Sequence, residues 1–69
     1  MTYIAYDKNT LMILAFITTD DIINPSEVFV NFNNYEVLTT NLTIPVNYSN
    51  YKVQIVDGEI VGFEESELM

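Results

Sequence analysis

Apolar positions fall into short runs parted by polar, turn-forming tracts, the pattern of a small β-rich chain. Residues 2–7 carry Tyr3, Ile4 and Tyr6, and residues 11–19 carry Ile13, Phe16 and Ile17. Between them lies Asp7-Lys8-Asn9-Thr10, where Asp and Asn favour a turn. The two runs predict a β-hairpin. With Lys8-Asn9 as its loop, Tyr6 faces Leu11 and Ile4 faces Ile13, placing successive apolar pairs on one face. Run length does not separate strand from helix, so a helix is the alternative for the second run.

Thr18-Thr19-Asp20-Asp21 breaks the pattern, and Asn24-Pro25-Ser26-Glu27 has the chemistry of a helix start. Asn suits the N-cap and Pro the first helical position, and Glu27 is spaced to reach back to the cap's N–H. Val28, Phe29 and Phe32 follow at helical spacing, predicting a short helix that ends near Asn33-Asn34. The competing pattern is a strand, with Val28, Val30 and Phe32 on one face. Residues 35–39 read as a short strand. Residues 40–50 read as a loop, rich in Asn and Thr and carrying Pro45, which cannot donate to a ladder.

The last hairpin has the clearest signal. Residues 51–56 and 59–63 flank Asp57-Gly58, and this pair tolerates the positive φ angles of a type I′ turn. An unbroken register sets Val56 opposite Glu59, Ile55 opposite Ile60 and Lys52 opposite Phe63. Tyr51, Val53, Ile55 and Ile60 would then form the core face, leaving Phe63 on a mixed one. The expected fold is α+β and mainly β: two antiparallel hairpins forming a small sheet, with one short helix between them. Residues 1–69 make a single small domain, with residues 64–69 as an acidic tail.

Composition changes the picture in one respect. The chain has 69 residues, 49% hydrophobic and 13% aromatic, and no cysteine or histidine. A domain this small buries only about 60% of its unfolded surface and commonly needs a staple. Disulfides are excluded and a zinc site nearly so. Good packing or association with other chains remains, and nine aromatic rings in so little volume favour association. The candidate interface residues are Tyr3, Tyr6, Phe29, Tyr48 and Phe63, since tyrosine and other aromatics are enriched at contacts.

Charge excludes further classes. Ten acids face two lysines, for a formal net charge of −8. Such a surface repels phosphate backbones and anionic lipid, and it keeps a sticky domain in solution. Residues 11–17 are the longest apolar run, far short of the ~20 residues of a membrane helix. No basic region precedes an apolar stretch at the N-terminus, so no secretory signal is expected.

Catalytic chemistry is sparse. With histidine, cysteine and arginine absent, the commonest general base, the thiolate nucleophile and the bidentate phosphate clamp are missing. Asp20-Asp21 and Asp57/Glu59 are the best carboxylate pairs, and neither has calcium-loop spacing. The expectation is a protein that is not an enzyme and takes no cofactor, metal or small-molecule substrate.

Tyr3-Ile4-Ala5-Tyr6-Asp7 and residues 51–63 together resemble small phage and prophage structural proteins of Gram-positive bacteria, often encoded among tail or fibre genes. The resemblance implies a virion component made in the bacterial cytoplasm and held by neighbouring protein subunits, as a homo- or hetero-oligomer. The second function considered is an acidic mimic of nucleic acid that inhibits a host DNA-binding or defence protein. Salt would weaken a mimic's complex steeply and an apolar subunit contact little.

Overall fold

The computed structural model describes residues 1–29 and 33–66. Its elements are β1 (Thr2–Asp7), β2 (Ile13–Thr18), the one-turn helix α1 (Pro25–Val28), β3 (Tyr35–Thr40), a 3-10 turn at Tyr48–Asn50, β4 (Tyr51–Val56) and β5 (Glu59–Glu65). The expectation of one sheet built from two hairpins is corrected. There are two antiparallel sheets, one of three strands in the order β2-β1-β3 and one of β4 with β5.

β1 is central because it is apolar on both faces. Ile4 and Tyr6 pack with Ile13, Val53 and Ile60, and so face the β4–β5 sheet. Tyr3 and Ala5 pack with Phe29, beneath the β2–β3 connection. A strand covered on both sides need not alternate, which explains the run Tyr3-Ile4-Ala5-Tyr6. Ala5 lies opposite Ala15 on one neighbour and Val37 on the other. These small residues leave room for the Phe29 ring above them.

The first hairpin is a strand pair, not strand and helix, but its register differs from the expected one. Tyr6 faces Ile13 rather than Leu11, and Ile4 faces Phe16 rather than Ile13. The cause is a connection longer than two residues. The Leu11 N–H donates to the Asp7 carbonyl at 2.8 Å and the Asp7 N–H to the Met12 carbonyl at 2.9 Å, with Leu11 left-handed at φ 66°. The Asp7 carboxylate accepts the N–H groups of Asn9 and Thr10 at 2.7 and 3.0 Å, which sets this turn. Leu14 is then an extra residue, a bulge that keeps Ile13 on the inner face.

Leu11 and Met12 also join the two sheets. The Leu11 carbonyl accepts the Val53 N–H at 2.9 Å, and Met12 forms a bridge with Lys52.

In the second hairpin, Asp57 (φ 53°) and Gly58 (φ 79°) adopt the expected type I′ turn. Val56–Glu59 and Ile55–Ile60 pair as expected, but Val61 bulges out and shifts the rest by one residue. Lys52 therefore faces Glu64, and Phe63 faces Val53. Alternation alone would have put Phe63 on the outer face; the bulge turns it onto the core cluster. Glu64 and Glu65 belong to β5 rather than to a tail, and residues 67–69 lie outside the described residues.

α1 starts where its sequence predicts. The Asn24 side chain accepts both the Ser26 N–H, at 3.2 Å, and the Ser26 hydroxyl, at 2.8 Å. The helix stops at Val28 instead of running to Asn33-Asn34. The expected continuation through Phe32 falls on residues 30–32, outside the described residues.

Candidate interaction surface

The five aromatic candidates divide between the two cores on opposite faces of the β2-β1-β3 sheet. Tyr6, Tyr48 and Phe63 belong to the core facing β4 and β5, while Tyr3 and Phe29 belong to the other. Tyr3, Tyr6 and Phe29 are buried, the last two at 4% exposure. Their rings are therefore interior groups in the folded chain, with little area to offer a partner. Tyr48 and Phe63 are half-buried. Tyr48 stands edge-on to Phe16, with centroids 5.1 Å apart. The reason is economy of apolar volume: in a small domain the largest rings are what is available to fill the centre.

The polar tips of the buried tyrosines find partners. Tyr6 donates to Glu36 Oε2 at 3.0 Å, and Tyr3 reaches the Asp21 carbonyl at 3.4 Å. Among the described residues no buried side-chain nitrogen or oxygen lacks a hydrogen-bond partner, and no three acid, His or Cys groups gather where they could hold a metal ion.

Burial raises the Tyr6 pKa above its ordinary 10.0, and the hydrogen bond and charge of Glu36 raise it further. The backbone N–H groups of Thr10 and then Asn9 hold Asp7 below its ordinary 3.8. A raised tyrosine contributes stability that is complete below its unfolded value and lost as pH climbs through the folded one. A lowered aspartate contributes stability present above its unfolded value and lost as pH falls through the folded one. Thermal melts across pH should therefore show a plateau with an acid and an alkaline limb. Tyr6→Phe should flatten the alkaline limb, and Asp7→Asn the acid limb. Limbs unchanged in both variants would contradict the assignment.

The exposed surface has other features. Ile22 and Val46 are 97% and 101% exposed, and Leu42, Val56 and Val61 are also exposed. The sequence signal for these was weak, because Leu42 and Val46 stand singly in a polar loop, while Ile22, Val56 and Val61 each follow or precede another apolar residue and look like core positions. Strand edges were less legible still. Among the described residues, β3 forms a ladder with β1 alone and β5 with β4 alone. By contrast, the outer side of β4 is met by Leu11 and Met12.

The outer edges of β3 and β5 border the same groove. It has a volume of about 430 Å³ and lies between the end of β3 and the start of β5, lined by residues 38–42 and 58–60. Strand directions follow from the pairings. β1 is antiparallel to β3, β4 is antiparallel to β2 through the Met12–Lys52 bridge, and β5 is antiparallel to β4. β3 and β5 consequently run the same way.

No protein-family model, curated protein or solved structure matches this chain.

Proposed function

We propose that this chain is a non-enzymatic structural or assembly protein of a phage or phage-like particle, binding neighbouring protein subunits. The observation that supports binding most strongly is that, among the described residues, the end of β3 and the start of β5 have no further ladder partner where they border one open groove. A row of free main-chain N–H and C=O groups is a template for another chain's strand. Exposed Leu42 at the groove and Val61 on β5 add apolar contact there. The particle itself is suggested by the resemblance of residues 3–7 and 51–63 to phage and prophage structural proteins.

The charge of −8 also suits a mimic of nucleic acid. A mimic needs its carboxylates on one rigid face. Here they are spread over the first loop, the β2–β3 connection, β3 and the last hairpin. Subunit binding is the better-supported reading.

Sedimentation of the purified chain, alone and mixed with the other proteins of a candidate particle, tests this. The expected result is a species heavier than the 7.9 kDa monomer, formed with itself or with those proteins. A chain that stays monomeric and binds none of them at micromolar concentration would sink the proposal.

A further inference from the structure

We propose that the free edge of β5, where it borders the groove, takes up an extended segment of a partner protein as an added antiparallel strand. That segment carries Lys or Arg at its two ends and a short apolar stretch between them. The inference rests on the subunit-binding reading above and names the site and the partner's chemistry.

β5 reads Glu59-Ile60-Val61-Gly62-Phe63-Glu64-Glu65, with carboxylates at both ends and none in the middle. Asp57 in the adjoining turn extends the acidic end that lines the groove. Cations are few: Lys52 faces Glu64 from β4, and Lys8 lies in the first loop. Neither stands opposite Glu59 or Glu65 in the β4–β5 ladder, where Glu59 pairs with Val56 and Glu65 with Tyr51. A strand laid along the other side of β5 meets those carboxylates as cross-strand or diagonal neighbours. Opposite charges there stabilise, and like charges destabilise. Glu59 and Glu64 stand opposite Val56 and Lys52, four residues apart on β4 because Val61 is bulged out, so they lie roughly 13 Å apart along the ladder, and this sets the spacing of the partner's basic ends.

The middle of the partner is set by Val61, which is exposed, and by Leu42 across the groove. β-branched or other small apolar residues suit that position.

The same charges argue against the other occupants. A second copy would bring an equal net charge of −8 and present its own acids to these, and charged edges are a common device against self-pairing. Nucleic acid would bring phosphates to a carboxylate edge. A basic segment is instead drawn in by the field of the whole chain.

The test uses the full isotope-labelled chain and a blocked peptide in which lysines flank a short centre of alternating threonine and valine. Amide chemical shifts should move at residues 59–65 and along 38–42, with salt weakening the binding. A peptide with glutamate for lysine should not bind. A peptide with the same charges but alternate backbone nitrogens methylated should lose most of its affinity, because it cannot pair with an edge. Glu59→Lys, an exposed change, should weaken binding roughly three- to ten-fold while leaving the spectrum of the free protein otherwise intact.

Equal binding by the methylated peptide would reduce the contact to unspecific charge attraction and overturn the proposal. Shifts confined to another surface would also overturn it. So would a free chain that is already a dimer with its β5 amides protected from hydrogen exchange, since the edge would then belong to a second copy. If the peptide fails to bind but the chain still joins particle subunits, this inference falls and the subunit-binding reading stands. If both fail, both fall.

Discussion

Ile4→Ala is expected to leave the domain largely unfolded at 25 °C. Ile4 is 0% exposed, sits in the middle of the central strand, and packs with Val53 and Ile60 of the second sheet. Truncating a buried isoleucine costs about 2–5 kcal/mol in lost burial and residual cavity. A chain of this length has a total stability of only about 3–10 kcal/mol, and small domains tend toward the lower part of that range. Neighbours can hardly close the hole, because β1 is held by ladders on both sides. Circular dichroism during heating should show either no cooperative transition or a midpoint lowered by roughly 10–30 °C. A drop under about 5 °C would mean that Ile4 contributes far less to the core than its burial implies.

Phe29→Ala should be nearly as damaging, but in a different place. Phe29 is the large side chain that covers Tyr3 and Ala5, and it also meets Tyr35 edge-on with centroids 6.4 Å apart. Its loss costs about 3–5 kcal/mol for a fully enclosed site. The lower figure is the better guide here, since the four-residue helix beside it buries none of its own residues and can shift inward. Hydrogen exchange should locate the effect. Amides of β1 and of the β2–β3 connection should lose protection, while those of Val53 and Ile60, on the far side of the sheet, keep more of theirs. Uniform loss of protection across both clusters would show instead that the two cores form one cooperative unit.

Local chemistry was legible in the sequence; long-range pairing was not. Asp57-Gly58 and Asn24-Pro25 act through backbone geometry within a few residues, and both did what their residue types demand. The strand at 35–40 was visible too, but nothing in it says that it lies beside β1. That partnership depends on Tyr3 and Ala5 needing cover that only a distant segment supplies. The two bulges were invisible for a related reason. Leu14 and Val61 resemble their neighbours, and each is expelled from its ladder only because packing rewards bringing Ile13 and Phe63 inward. Three of the five aromatic candidates, Tyr3, Tyr6 and Phe29, are buried, because a ring that could serve an interface serves a small interior equally well. The groove, which carries the binding proposal, is made by two edges meeting in space and has no signature in either strand alone.

The central place of β1 has a bearing on how the molecule is made. Chain order and sheet order disagree: the strand synthesised ahead of the others ends up between two that follow it. A lone β1–β2 pair would leave both its faces bare and would be at best marginal in water. Durable structure must therefore wait for β3, about 30 residues later, and for the last hairpin, whose residues close the remaining face. Such distant pairings slow folding. Until they form, a greasy stretch stands open to other nascent chains, and the surplus of carboxylates is then as useful for keeping those chains apart as it is in the finished protein.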